Sequence, residues 1–397
     1  MKADWISILS QEDGDYYIAK TPKNQVTITK TVKERRKFKR NLTVVTPSQK
    51  FYEIYSEEQI LDIIDNLDIE REIPRQYNYL DGGAEFWDKY AQRLEQDRAP
   101  NLVRRTMELL DDNSKFLDRQ LGPFARVNVI DVGVGNAIPT QNLLRHLLEA
   151  GKLNRYVAID ISQDMLNIAR RNIDAWFNNA PTHPAIRVED YVADISSESF
   201  RFATAPDSNS ALDSENGDAT VNLVLLLGGT LSNFRNPERV LEVIRKSMGR
   251  KDFFIYTVKL DSPATRQHFD FRARQDRGAE LPRQDQSNEL PPQYKFIVDL
   301  LGISEEYYDV EMDWDERERA RYLQIRLKRA LTISFKFPSK VSVDLNKNDA
   351  VVVWRAQHKS DREIEDMLIT NGFKLLLSAQ SADQEYMLVM ANRRRKV

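Results

Sequence analysis

Short segments rich in Val, Ile and Leu recur through the middle of the chain and predict the strands of a buried parallel sheet. They are residues 127–132, 156–161, 187–195, 221–227 and 252–260. Between them, apolar residues at helical spacing predict helices over 140–150, 162–177 and 237–248. Strands that alternate with helices in this way are typical of an α/β fold with a parallel sheet.

The pattern of apolar positions changes on both sides of this core. Residues 307–354 alternate between apolar and polar positions, which predicts antiparallel strands with one face in solvent. Further elements are predicted as strands within 15–30, one helix over 101–121, a helix over 361–371, and strands at 373–377 and 385–391 that return to the main sheet. The predicted domains are an N-terminal extension (1–73), an α/β domain (74–261 and 360–397) and an inserted antiparallel α+β domain (262–359).

The turn after the first core strand carries the clearest chemical signal. It contains Asp131, Gly133 and Gly135, and the two glycines allow the backbone to approach a ligand closely. The next strand ends near Asp160, where a carboxylate can accept both hydroxyls of a ribose. Ile138 stands in place of a third glycine and no GKS or GKT sequence follows, so an adenosyl ligand without phosphates, S-adenosylmethionine (SAM), fits best. A strand-turn-helix unit without a ligand is the alternative.

Three other features lie where the core strands are predicted to end. Asp194 follows the third strand, and its carboxylate could accept from the amino group of an adenine. Gly228 and Asn233 follow the fourth strand, at the edge of the sheet where open α/β sheets bind ligands. The stretch 74–90 is dense in aromatic residues, among them Tyr79 and Trp87. A helix whose aromatic face packs into the core is the simplest interpretation of that stretch alone.

The composition excludes several functional classes. The 397 residues are 30% charged and 41% hydrophobic, and the net charge of −3 gives no overall attraction to nucleic acid or an anionic membrane. The chain has no cysteine, which excludes disulfides, thiolate metal sites and a cysteine nucleophile. Its four histidines are scattered, so no metal site is predicted. The basic residues within 31–40 are interpreted as a solvated face, because only Phe38 interleaves them.

The chain lacks both a long apolar segment and the pattern of a signal peptide. No run of about 20 apolar residues occurs, and the N-terminus lacks the basic, apolar and small-residue order of a leader. We therefore expect a cytoplasmic protein that does not bind membranes.

Four motifs in this order, YNYLDGGAEFWD, VIDVGVG, YVAIDIS and LLGGTLSNF, resemble those of the SAM-dependent histidine Nα-methyltransferases of the ergothioneine pathway. The resemblance covers residues 74–397. It implies a Rossmann-like methyltransferase fold whose inserted antiparallel domain caps the substrate pocket, to which 74–121 also contribute. It also implies SAM as cofactor and N-methylation of an amino acid or related amine. The residues implied to hold SAM are Asp131, Gly133, Gly135, Asp160, Ile161, Asp194, Ile195 and Gly228.

The resemblance also implies a substrate pocket. Tyr79 and Trp87 would line it, and Asn233 would grip the amino group and carboxylate of the acceptor. Tyr79 and Asn233 are the candidates for catalysis, because a ring face and an amide oxygen can orient the lone pair of an amine.

Two features depart from the family pattern. Phe269 stands where a tyrosine would contact the substrate carboxylate. Arg355 and Gln357 stand where a glutamate and a serine would read an imidazole, which reverses the charge demanded of the substrate. An amine with an acidic or hydrogen-bond-accepting side group is therefore as good a candidate as histidine, unless this stretch aligns a few residues away.

Three other classes remain open from the sequence. An enzyme of the same fold could methylate a peptide or protein side chain, with the N-terminal segment as a docking module. A non-catalytic SAM-binding protein is compatible with the altered substrate stretch. A dinucleotide dehydrogenase is disfavoured by the absent third glycine. The sequence indicates no oligomeric state.

Overall fold

The computed structural model describes residues 4–11, 14–20, 26–31, 43–96, 101–179, 185–205, 220–263, 289–337 and 341–394. The chain divides into two compact units, Met1–Leu42 and Thr43–Val397. The first unit contains an antiparallel sheet of β1 (Asp4–Gln11), β2 (Gly14–Lys20) and β3 (Val26–Thr31), in that order. The alternation within 15–30 thus predicted β2 and β3 correctly.

The second unit begins within the segment that the sequence assigned to an extension. Strand β4 (Thr43–Val45) pairs in parallel with β12 (Leu331–Ser334), and Glu72 forms a bridge with Val352. Helices α1 (Gln49–Ile54) and α2 (Glu57–Asp65) lie between β4 and Glu72 in the sequence. Helix α2 begins with a capping box, in which the side chains of Ser56 and Gln59 each accept from the backbone N–H of the other residue. The predicted extension 1–73 therefore crosses the boundary between the two units.

The core of the second unit is a seven-stranded sheet. Its strands are β5 (Arg126–Val132), β6 (Leu153–Asp160), β7 (Val188–Val192), β8 (Thr220–Leu226), β9 (Phe253–Lys259), β15 (Phe373–Gln380) and β16 (Tyr386–Arg393). Their order is β15-β16-β9-β8-β5-β6-β7. Strands β5 to β9 are parallel to one another, β16 is antiparallel to its neighbour β9, and β15 is antiparallel to β16. The predicted α/β fold class and the return of the last two strands to this sheet are confirmed.

Helices cover both faces of this sheet because its strands are apolar on both sides. They include α4 (Leu102–Asp112), α5 (Ser114–Leu121), α6 (Gln141–Glu149), α7 (Gln163–Ile173), the short α8 (Arg201–Thr204), α9 (Pro237–Ser247) and α11 (Asp361–Thr370). The prediction of one helix over 101–121 was wrong. Asn113 leaves the helical conformation at φ −102° and ψ 8°, and its side-chain amide donates to the Leu109 carbonyl at 2.8 Å, so α4 ends and α5 begins there.

The inserted segment forms two small antiparallel-rich sheets. One contains β10 (Tyr308–Asp315), β11 (Ala320–Leu327) and β14 (Ala350–Gln357); the other joins β12 to β4 and to β13 (Ser342–Leu345). Both share one apolar core with α1, α2, α3 (Gly83–Gln96) and α10 (Pro292–Leu300). None of the helices in the described ranges is long and apolar enough to cross a membrane.

Candidate functional site

The turn after β5 adopts the conformation that its glycines permit. Gly133 and Gly135 have φ of 65° and 56°. A Cβ on Gly133 would lie 3.3 Å from Thr230 Cγ2, so the backbone there is packed closely as well as left-handed. The Gly135 N–H donates to Asp160 Oδ2 at 3.2 Å. The structure thus brings together the glycine turn and the acid that the sequence paired with it.

Asp160 is held as a buried acceptor at the end of β6. Its side chain is 8% exposed, and Oδ1 accepts from the Ser162 N–H at 3.1 Å, where α7 begins. Burial raises the pKa of Asp160 to about 6, and the N–H groups of Ser162 and Gly135 partly offset that effect. At neutral pH the carboxylate is therefore ionised and suited to accept two hydroxyl groups of one ligand.

This pKa makes the affinity for an adenosyl ligand depend on pH. The ionised carboxylate accepts from the ribose and the protonated form does so less well, so binding is lost as pH falls through about 6. We expect the Kd for 5′-methylthioadenosine, which lacks the amino acid part of SAM, to be constant above pH 7. Between pH 7 and pH 5 it should rise by up to about tenfold. Calorimetry from pH 5 to 8 measures this, and a flat profile would contradict the role of Asp160.

Asp131 titrates in the same range and requires a control variant. Burial raises the pKa of Asp131 to about 7. Two hydrogen bonds partly offset this rise, because Oδ2 accepts from the hydroxyls of Thr140 at 2.5 Å and Tyr156 at 2.9 Å. Those two contacts tie Asp131 to the fold rather than to the open side of the turn. In Asp131→Asn we expect the inflection near pH 6 to persist.

The remaining predicted cofactor residues surround the same turn. Ile195 is buried, and its Cδ1 lies 3.8 Å from the position of a Cβ on Gly133. Ile161 directly follows Asp160 and is partly buried. Asp194 is half-buried, and its Oδ1 accepts from the N–H and hydroxyl of Ser196 at 2.8 and 2.7 Å, which fixes the loop after β7.

The loop after β8 faces the glycine turn. Gly228 and Gly229 both have φ of 73°, and a one-turn 3₁₀ helix follows at Thr230–Asn233. The Asn233 side-chain N–H donates to the Gly229 carbonyl at 3.3 Å. Among the described residues no hydrogen bond engages its amide oxygen. Asn233 is thus oriented by its own turn and has an acceptor left for a ligand.

Tyr79 and Trp87, both predicted to line a pocket, contact each other. Their ring centroids are 5.1 Å apart, and Trp87 also contacts Tyr294 at 5.6 Å and Tyr90 at 5.7 Å. Burial raises the pKa of Tyr79, Arg75 lowers it, and the charge of Asp160 raises it further. Tyr79 therefore packs with Trp87 and Tyr294 at the apolar core of this part of the second unit.

The start of α3 reaches the glycine turn directly. Asp88 Oδ1 accepts from the side-chain N–H of Asn136 at 3.0 Å, and the Asn136 carbonyl accepts from Asn172 at 2.9 Å. Because Asp88 adjoins Trp87, this contact fixes the aromatic residues relative to the turn. Trp87, which the resemblance placed in a substrate pocket, therefore lies next to a residue that contacts the glycine turn.

The residues that depart from the family pattern were predicted to contact the substrate, but those that the structure describes contact other parts of the protein. Arg355 is 5% exposed and donates to both carboxylate oxygens of Glu72, at 2.8 and 2.5 Å. Its charge is thus compensated within the protein. Gln357 is half-buried and pairs with Ala320 in the strand ladder. Phe269 lies outside the described residues.

Sequence reasoning missed three residues at the rings of Tyr79 and Trp87: Arg75, Tyr294 and Trp354. Tyr294 lies on α10, and its ring centroid is 6.4 Å from that of Trp354 on β14. Arg75 lies within the stretch 74–90, two residues before its first aromatic residue, Tyr77. Successive side chains of a strand point to opposite faces, so Trp354 contacts the rings whereas Arg355 points to Glu72. Arg75 is the only one with a local signal, a cation directly before the aromatic cluster.

A family model described as histidine-specific, SAM-dependent methyltransferase matches residues 57–393. None of the curated proteins compared matches the chain.

Similar solved structures are themselves methyltransferases. A SAM-dependent methyltransferase of Clostridium acetobutylicum is 10% identical, with a TM-score of 0.39 over 78% of this chain and 98% of that one. Magnesium protoporphyrin IX methyltransferase of Synechocystis is 12% identical, with a TM-score of 0.38 over 84% and 99%. A 1,6-didemethyltoxoflavin-N1-methyltransferase of Burkholderia thailandensis is 13% identical, with a TM-score of 0.37 over 79% and 87%. Similarity at this level carries no argument about the substrate.

Proposed function

Because the chain belongs to the histidine-specific, SAM-dependent methyltransferase family, it is a SAM-dependent methyltransferase, and we propose that it methylates a nitrogen atom of an amino acid or a related small amine. One observation carries the proposal: Asp88, which adjoins Trp87 in the ring cluster of Tyr79, Trp87 and Tyr294, accepts from Asn136 in the glycine turn that also contacts Asp160. This arrangement supports a cofactor at the glycine turn and a flat acceptor at the rings.

The residues present fit the adenosyl group. The Asp160 carboxylate would accept from the ribose, the bare backbone at Gly133 and Gly135 would lie against the ligand, and Ile161 and Ile195 would contact the adenine. Asp194 would accept from the adenine amino group through the carboxylate oxygen that Ser196 leaves free. SAM, when bound, supplies a methyl group that a neutral nitrogen can attack.

The protein's own task is to position the acceptor and to exclude water. The amide oxygen of Asn233 would accept an N–H of the acceptor and so direct the nitrogen lone pair. The ring faces of Tyr79 and Trp87 would stabilise the positive charge that develops on the nitrogen. A strong base is unnecessary if the amine binds unprotonated, and the buried acids Asp131 and Asp160 are committed elsewhere.

The pair of Glu72 and Arg355 bears on the choice of acceptor. The glutamate that the family resemblance assigns to imidazole recognition is replaced by an arginine whose charge Glu72 already compensates. Neither an imidazole N–H nor an acidic group finds an open partner at that position. This supports an acceptor other than histidine, with an uncharged, flat body that packs against the rings.

Incubation with methyl-labelled SAM tests the proposal. We expect mass spectrometry to find the label on a nitrogen of one compound in a panel of free amino acids and aromatic amines. Label on proteins of a cell extract, with none on the panel, would favour a peptide acceptor instead. The absence of any labelled product would contradict the proposed N-methylation, and calorimetry with S-adenosylhomocysteine (SAH) then reports whether the cofactor site exists.

A further inference from the structure

Arg75 lies in a cage of aromatic rings. Its guanidinium carbon is 4.6 Å from the ring centroid of Trp87, 5.7 Å from Tyr79 and 6.0 Å from Trp354. Ring faces attract a cation, but they offer no acceptors for its five N–H groups. The cage therefore holds the guanidinium in place, and of its rings only Tyr79 offers an acceptor, its hydroxyl oxygen, to the N–H groups.

Part of that capacity is unused in the protein. In the part of the chain that the structure describes, no carboxylate pairs with Arg75, and its Nε is buried without a hydrogen-bond partner. Arg355, by contrast, is bidentate to Glu72. Asn78, three residues after Arg75, is fully buried, and its amide oxygen and nitrogen also have no partner among the described residues. Buried polar groups are almost always paired, so orphaned donors beside a site indicate a ligand.

The cage lies beside the proposed cofactor site. Trp87 adjoins Asp88, whose carboxylate accepts from Asn136 in the glycine turn at 3.0 Å. A second guanidinium, that of Arg321, lies 4.9 Å from the ring centroid of Trp354. Two cations thus flank one ring, which gives the pocket a positive potential where the two substrates would meet.

We propose that Arg75 binds a carboxylate group of a substrate, through a charge-assisted pair shielded from water by the rings of Tyr79, Trp87 and Trp354. The inference rests on the proposed function, because that function supplies two sources of the same chemistry. One is the α-carboxylate of the methionine part of SAM, and the other is the α-carboxylate of an amino acid acceptor. The planar guanidinium suits either, since it can donate two parallel hydrogen bonds to a carboxylate.

Paired ligands with and without a carboxylate test the proposal in Arg75→Gln. The cofactor arm measures by calorimetry the Kd of SAH and of 5′-methylthioadenosine. If Arg75 binds the cofactor, the Kd of SAH rises about 10- to 100-fold while that of 5′-methylthioadenosine changes less than about threefold. The acceptor arm offers labelled SAM with histidine and histamine, or with tryptophan and tryptamine. If Arg75 binds the acceptor, the labelled amino acid falls about 10- to 100-fold relative to its amine.

Two control variants accompany the test. Arg329→Gln removes an exposed arginine that lies 5.0 Å over the ring of Tyr307, and both arms should match the wild type. Arg75→Lys keeps the charge but loses the planar fork, so it should show a smaller shift confined to the carboxylate ligands. That variant also carries the test if Arg75→Gln folds poorly.

In both arms together, equal losses for the ligands with and without the carboxylate, or no loss for any of them, would overturn the proposal. If the wild type labels none of the four acceptors, the cofactor arm alone decides, and an unchanged ratio of the two Kd values overturns it. A wild type that does not bind SAH would instead contradict the proposed function itself.

Discussion

Asp160→Ala is expected to weaken SAM binding at least about 100-fold. The variant removes a carboxylate that would accept two ribose hydroxyls, and each charge-assisted hydrogen bond contributes about 1.5–3 kcal/mol. It also leaves the N–H groups of Gly135 and Ser162 without their acceptor. Calorimetry with SAM measures the loss, and thermal unfolding of the ligand-free protein shows whether the variant is folded.

Two further variants separate the ribose contact from a general disturbance of the turn. Asp160→Asn keeps the shape of the side chain but replaces one acceptor by a donor, so we expect most of the same loss. Asp164→Asn changes an exposed acid in the first turn of α7 and should bind SAM as the wild type does. Near-normal affinity in Asp160→Ala would remove the basis for placing the cofactor at this edge of the sheet.

The elements that the sequence predicted correctly are those with a strong local pattern. The parallel strands are continuous apolar runs, and the turn at Gly133 and Gly135 combines a left-handed backbone with the end of a buried strand. The break at Asn113 was missed although an Asn-Ser pair is a common helix boundary, because the leucines on both sides keep a helical spacing. Local periodicity and local capping gave opposite indications there, and the capping signal was correct.

The parts that could not be predicted depend on contacts between distant segments. The charge of Arg355 suggested an acidic substrate, but its partner Glu72 comes from the far end of the sequence. The cage around Arg75 likewise needs Trp354 from the inserted domain. A sequence pattern reports the charge of a side chain without reporting what compensates it, so substrate specificity read from single residues is the weakest step.

Asn233→Ala is expected to lower kcat about 10²- to 10³-fold while SAM binds with nearly unchanged affinity. The side chain is oriented by its N–H donation to the Gly229 carbonyl, and among the described residues its amide oxygen is left for the acceptor. Losing one oriented polar contact in an active site costs roughly this much, because the nitrogen is no longer held in line with the methyl group.

Asn236→Ala is the matched control for this variant, since it lies three residues away. Asn236 caps α9 by accepting from the Arg239 N–H at 3.3 Å, so its loss should cost about 1 kcal/mol of stability and leave kcat unchanged. Single-turnover rates with the acceptor identified from the panel, together with calorimetry, distinguish the two variants. If Asn233→Ala retains wild-type turnover, the acceptor nitrogen is held elsewhere, and the rings around Arg75 become the principal determinant of its position. If kcat and SAM affinity fall together, Asn233 supports the cofactor site and does not bind the acceptor. Only a contact made to the acceptor can lower the rate without disturbing the bound methyl donor.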